Sequence, residues 1–199
     1  MKIVMCASEV VPFAKTGGLA DVAGALPLAL EELGHDVIIV MPRYKTVKNA
    51  KVAAKRLDDD ISYSVVGKKI KVYFIENEVY FGRDALYGDT NGDYPDNLDR
   101  FAYFCCRCLE LLKEIKFKPD IIHCHDWQSA LVPVFLKKKF FADPFYKNIK
   151  TLFTIHNIGY QGLFLKDEFP KLGLDWSLFT VDTFEFYDKV NILKGGLVF

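Results

Sequence analysis

Lys2-Ile3-Val4-Met5-Cys6-Ala7-Ser8, a loop from Glu9 to Leu19, the segment Ala20 to Leu33, Gly34, and Asp36-Val37-Ile38-Ile39-Val40-Met41-Pro42 follow one another at the start of the chain. The first and last pieces are short and nearly continuous in apolar residues, the pattern of parallel strands covered on both faces. Between them Val22, Ala23, Leu26, Leu30 and Leu33 recur at three- and four-residue spacings, which predicts a helix with an apolar stripe. Gly34 supplies its stop, and Pro42 closes the second strand. Strand, loop, helix and strand within about forty residues form the parallel crossover unit of a doubly wound α/β fold.

The pattern changes downstream and then returns. Ile61 to Val66 and Lys69 to Ile75 flank Gly67-Lys68 and predict a hairpin. Asn77 to Asp96, rich in Gly, Asp, Asn and Tyr, reads as a long surface loop. Leu98 to Ile115 is helical, with Phe101, Phe104, Cys105, Cys108, Leu109, Leu112 and Ile115 on one stripe. Pro119 to His125 and Lys150 to Ile155 are further strands, with a helix from Gln128 to Phe140 between them. The remainder is aromatic-rich and irregular until Val190 to Phe199, which starts like a helix. A single α/β domain with a mostly parallel sheet accounts for all of this.

Composition narrows the function. The chain has 199 residues, 51% hydrophobic and 26% charged, enough to build one core. Its 26 basic and 26 acidic residues cancel, which gives no electrostatic case for a nucleic acid or an anionic membrane as partner. Met1 to Ala7 is too short and too soon polar for a signal peptide, and no apolar run approaches the ~20 residues that span a bilayer. Five cysteines, an odd number without an export signal, read as reduced thiols of a cytoplasmic protein. Cys105, Cys106 and Cys108 then read as small core fillers, with metal binding the lesser alternative. The apolar ending Leu197-Val198-Phe199 is unlike a natural terminus and suggests a chain that continues or was cut there.

Three strand-to-helix junctions carry the chemistry, at the sheet edge where ligands of open α/β folds sit. Lys15-Thr16-Gly17-Gly18-Leu19-Ala20-Asp21 places paired glycines, free helix N–H groups and a cation where an anion would bind. The lysine precedes the glycines and the next glycine is Gly24, so this is neither a Walker A loop nor G-x-G-x-x-G. A tight turn with a solvated lysine is the alternative. His123-Cys124-His125-Asp126-Trp127-Gln128 ends another strand, with His123 and His125 on one face. Two histidines so spaced, with His156 as a third, could ligate zinc. Carboxylate, aromatic and amide at that spot equally suit a sugar. His123 taken alone reads better as a core histidine. The third junction, His156-Asn157-Ile158-Gly159-Tyr160-Gln161-Gly162, gains weight from sharing the edge with the other two.

Two lures are set aside. Asp58-Asp59-Asp60 resembles a metal-holding Asp-x-Asp but precedes a hairpin strand, so a solvated acidic turn is the better reading. Asp89-Thr90-Asn91-Gly92-Asp93 fails as a calcium loop, because its glycine is misplaced and Arg100 stands where a glutamate is required.

Taken together, these blocks resemble the bacterial- and plant-type glycogen (starch) synthases. The resemblance rests on Ser8-Glu9, Lys15 through Val22, Tyr94 with Asp96 and Asn97, His123 through Trp127, Thr154 through Asn157 with Tyr160-Gln161-Gly162, and Asn191 through Gly196. It runs the whole chain in order. It implies a Rossmann-like, mostly parallel sheet forming the N-terminal half of a two-domain GT-B glycosyltransferase. It also implies retaining transfer of glucose from ADP-glucose, or UDP-glucose, to the non-reducing end of an α-1,4-glucan, without a metal. Carried over, Lys15 and Gly18, with Gly17 and Asp21, face the donor. Asp126 is the essential carboxylate and His156 contacts the transferred glucose. Tyr94, Trp127 and Asn157 bind the acceptor glucan, and Glu9 receives no role. Synthases of this group are roughly twice as long, so residues 1–199 are expected to be the N-terminal catalytic domain, with the nucleotide-binding domain absent and half a site inactive alone. A non-catalytic glucan-binding module and another retaining GT-B transferase such as a sucrose synthase are the rival readings.

Overall fold

The crossover unit forms, but its helix buries Leu19, Ala20, Ala23 and Pro27, and of the expected stripe Val22 and Leu33 are exposed. In a computed structural model, which describes residues 1–49 and 54–199, β1 (Lys2–Cys6) leads through α1 (Gly18–Glu32) to β2 (Asp36–Pro42). Gly34 takes φ +83°, and the amides of Gly34 and His35 return to the carbonyls of Glu31 and Leu30, closing the helix with a Schellman turn. After a short helix α2 (Lys45–Asn49) come β3 (Lys55–Asp58) and the predicted hairpin, β4 (Ile61–Val66) and β5 (Ile70–Ile75). The Glu31 carboxylate accepts from the turn amides of Lys68 and Lys69 at 2.9 and 2.8 Å, tying the hairpin to α1.

The segment expected to be a surface loop is pinned down instead. It contains α3 (Glu78–Phe81) and a small ladder of β6 (Gly88–Asp89) with β7 (Gly92–Asp93), and it buries Phe81 and Leu86. The cause is Arg100 in α4 (Asn97–Glu114). This arginine is fully buried; it donates to the carbonyl oxygens of Tyr80 (2.7 Å) and Leu86 (2.9 Å) and to Oδ1 of Asn97 (2.5 Å). Tyr94 stacks beneath both Arg100 and Arg83, and Arg83 grips the Asp96 carboxylate. Arg100→Met keeps the stem but strands those acceptors, so it should cost about 3 kcal/mol in urea unfolding and speed proteolysis of residues 77–96. An unchanged unfolding midpoint would show that the loop does not depend on the guanidinium.

The sheet is completed by β8 (Ile121–His125) and β9 (Lys150–Thr154), with α5 (Leu131–Lys138) between them. The helix expected from Gln128 to Phe140 is divided: Trp127–Ser129 is a 3₁₀ turn, and α5 starts close enough to Pro133 to hold it in the first turn, where a missing N–H is tolerated. Seven strands lie in the order β3-β4-β5-β2-β1-β8-β9, parallel from β5 to β9, with β3 and β4 running antiparallel at one edge. Strand order reverses at β1. Both faces are covered: Cys6 and Cys124 meet Cys108 of α4 on one side, while Ile39, in register with Met5, faces Gly24 and Leu28 of α1 on the other. All five cysteines are free, and only Cys106 is not fully buried.

Beyond β9 the irregular stretch hides a small antiparallel sheet of β10 (Leu163–Leu165), β11 (Glu185–Phe186) and β12 (Lys189–Asn191), and α6 (Ile192–Val198) starts only after it. Strands of two or three residues leave no periodicity to read. Phe169 and Phe184, both wholly buried, hold this region together with Trp176 and Phe179 around them. Of the acidic triplet, Asp58 and Asp59 are exposed, but Asp60 is half-buried and accepts from Arg107 at 2.8 and 3.0 Å, so it is a packing contact and not a solvated turn. Among the described residues no helix is long and apolar enough to cross a membrane.

Candidate active site

Parallel pairing brings the three junctions together. Cys6 lies opposite Cys124, and His125 opposite Thr154, so β1, β8 and β9 end at one edge and hand their next residues to one space. There Glu9, Thr16, Gly17, Gly18, Asp126, Gln128, His156 and Asn157 line a cavity of about 740 Å³. A second cavity of about 580 Å³ adjoins it, lined by Tyr94 and Gln161 among others and sharing Asp93, Asn97, Trp127 and Tyr160 with the first.

Asp126 sits at the centre of this geometry. Its backbone has φ 56° and ψ 179°, a conformation that only glycine adopts without strain. The amide still reaches the carbonyl of Thr154 at 3.0 Å. The carboxylate, on a residue only 9% exposed, accepts from the His156 amide at 2.6 Å and more weakly from that of Asn157 at 3.4 Å. One acidic side chain thus fixes where the third junction begins.

Glu9 does the same for the first junction. It is buried, and its carboxylate accepts from the Thr16 amide, from the Gly17 amide at 3.2 Å, from the Thr16 hydroxyl at 2.6 Å and from the Tyr87 phenol at 2.6 Å. Tyr87 also shares a 2.7 Å hydrogen bond with Ser8. Burial, then the neighbouring Tyr44 and Glu9, push the Tyr87 phenol well above its usual range, so it remains a donor. The Lys15–Gly18 loop is therefore shaped from below by a carboxylate that sequence reasoning left without a role. Tyr87 carried no signal, because it stands in an unpatterned loop.

The glycines themselves face open space. A Cβ on Gly17 or Gly18 would meet nothing within 4 Å, so the fold makes no demand for glycine at either position. Gly17 caps α1 in extended conformation with no side chain on the helix N–H groups. Lys15 does not line the cavity: its ammonium is clamped to both oxygens of Asp21 at 2.6 and 2.7 Å, and both side chains are exposed. An exposed pair of this kind contributes about 0–1 kcal/mol and gives way easily to a stronger anion. Trp127 is mostly buried, edge-on to Phe101 and packed on Phe164, and shows the cavities only one margin.

The histidines form a contiguous row, not a divergent ligand set. His123 and His125 lie 4.1 Å apart by ring centroids, and Nδ1 of His125 is 2.9 Å from Nε2 of His156. His123 Nε2 is engaged with the Thr154 hydroxyl at 2.7 Å. Burial, reinforced by the other two rings, depresses His125 to about 3, and burial with His156 also lowers His123. Among the described residues no three His, Cys, Asp or Glu side chains are arranged to hold a metal.

The chain has a parallel sheet loaded at the edge where its order reverses, beside a bare helix N-terminus: a doubly wound α/β fold with its site at the switch point, the architecture of the N-terminal half of the GT-B class. Its backbone superposes on the catalytic domain of starch synthase IV from Arabidopsis thaliana, solved with ADP and acarbose, with a TM-score of 0.79 and 32% identity over 99% of this chain and 43% of that one. It is 48% identical to the glycogen synthase of Geotalea daltonii and 50% identical to that of Koribacter versatilis, in each case over the whole chain and 43% of the relative. The starch synthase catalytic domain profile matches residues 2–199, and the chain belongs to that family. It spans less than half the length of these relatives.

Proposed function

We propose that residues 1–199 are the N-terminal catalytic domain of a cytoplasmic glycogen or starch synthase and one wall of its active site. The reaction is retaining transfer of glucose from ADP-glucose, or UDP-glucose, to the non-reducing end of an α-1,4-glucan, with no metal taking part. The observation that carries this reading is Asp126, a carboxylate held in strained backbone and lining the same cavity as the open glycines at the start of α1. Glycines that the fold does not need leave room for a ligand to approach the backbone, and the free N–H groups behind them favour the negative charge of a leaving diphosphate. Lys15, released from Asp21, adds a full positive charge there. The Asp126 carboxylate then opposes the positive charge that gathers on the sugar as its bond to the diphosphate breaks. Tyr94, Trp127 and Asn157 line the two joined cavities, where the acceptor glucan would lie.

The nucleotide-binding domain of the longer relatives supplies the facing wall. The purified chain, assayed for glucose transfer from ADP-glucose to glycogen, should therefore be inactive alone and active when mixed with the C-terminal half of a related synthase. Lys15→Ala should lower the activity of the mixture at least about tenfold while leaving the chain's unfolding midpoint nearly unmoved, because an exposed pair adds little stability. Robust transfer by the chain alone would overturn the half-site reading. Affinity for maltooligosaccharides without turnover in the mixture would favour a glucan-binding module, and transfer to fructose a sucrose synthase.

A further inference from the structure

His125 does not line the cavity, yet among the described residues it is the one side chain that hydrogen-bonds the ring of His156, a residue that does. The two rings lie nearly parallel, at 21°, and the His123 ring packs against His125 with centroids 4.1 Å apart. His125 is completely buried, and its Nε2 has no hydrogen-bond partner. Burial keeps this imidazole neutral at physiological pH, so one proton is shared between two nitrogens. With the proton on Nε2, a buried N–H would be stranded. With the proton on Nδ1, that N–H is satisfied by His156 and only a lone pair is left bare. Stranded buried N–H groups are the rarer of the two.

We propose that His125 is a positioning residue: its Nδ1–H donates to Nε2 of His156, locks His156 as the Nδ1–H tautomer, and leaves that N–H as the ring's free donor. Within the reaction proposed above, the donor is offered to a hydroxyl of the transferred glucose. No hydrogen bond from the described residues reaches Nδ1 of His156, so the position is open to a ligand. A histidine held by a second ring need not search tautomers or rotamers when the sugar arrives, the role that outer partners play for metal-bound histidines.

Long-range proton–nitrogen NMR of the ¹⁵N-labelled chain tests this without any catalysis. The expected spectrum shows His156 with a protonated Nδ1 and a bare Nε2. In His125→Leu the two nitrogens should move toward averaged shifts, and His125→Asn, whose amide can stand where Nδ1–H stood, should restore the native pattern. In the mixture with the complementary half, His125→Leu should lower kcat by about 10- to 100-fold with the donor KM within about twofold, and His125→Asn should recover most of the loss. Averaged shifts or a protonated Nε2 on His156 in the native chain would overturn the proposal. So would a folded His125→Leu with unchanged kcat. If the native mixture transfers nothing, the proposed function fails while the NMR result still decides the hydrogen bond.

Discussion

Asp126→Gly is expected to outlast Asp126→Ala in urea while both lose glucose transfer. In most folded segments alanine is the more stable choice, because glycine has more backbone freedom to lose, at about 0.5–1 kcal/mol. At φ 56° and ψ 179° the order reverses: any residue with a Cβ carries strain of about 1–3 kcal/mol, and glycine carries none. Both variants forfeit the carboxylate that accepts from the His156 amide, a charge-assisted contact of about 2 kcal/mol. Alanine thus loses the contact and keeps the strain, whereas glycine loses the contact and sheds the strain. The glycine variant should unfold about 0.5 M later in urea than the alanine variant. Transfer in the presence of the complementary half should fall on the order of 10²–10³-fold in each, the size seen when one preorganised charge-stabilising group is removed. Equal stabilities would mean the strained geometry relaxes at no cost. Retained activity would remove Asp126 from the chemistry.

Gly162→Val is expected to be severely damaging to stability. The residue has φ +63°, and a Cβ there would lie 2.5 Å from the Trp127 ring. A β-branched side chain in that backbone region adds strain to the clash. The ring cannot retreat, because Phe101 and Phe164 pack against it. Nor can the backbone, because the carbonyls of Gln161 and Gly162 accept from the amides of Leu193 and Ile192, both at 3.0 Å, and so cap the start of α6. The combined cost should be at least about 4 kcal/mol, a fall of roughly 10 °C in the melting temperature for a chain of this size. Gly159→Ala, where the only close atom is Asn157 Oδ1 at 3.1 Å and φ is not positive, should cost less than about 1 kcal/mol. A Gly162→Val melt within a few degrees of native would show that the Trp127 wall yields.

What could be read in advance was what local pattern encodes. The β1–α1–β2 unit, the β4–β5 hairpin and the α4 stripe announce themselves, because burial on a strand or helix repeats at a fixed period. The order of strands does not, yet adjacency of β1, β8 and β9 is what gathers Glu9, Asp126 and His156. Arg100 stands beside the stripe, and nothing local shows that it is buried under the loop it organises. Lys15 was legible as a cation beside glycines, whereas its clamp on Asp21 was not. The His123–His125 spacing correctly put both rings on one face, and only the fold shows that His156 closes the row. The strands β3 and β10 to β12 escaped because they are short.

The place of β1 in the middle of the sheet has a further effect during synthesis. One of its edges is paired with β2 early, but the other must wait for a segment 118 positions further along, as the contact between Lys2 and Asp120 marks. Until that segment leaves the ribosome, an apolar central strand shows a bare edge, which is a template for the wrong neighbour. The cavity is therefore among the last features to form, since closing so long a loop must precede any of its contacts. A chain interrupted before His125 would hold its first glycine loop and Glu9 beneath it, but neither Asp126 nor His156.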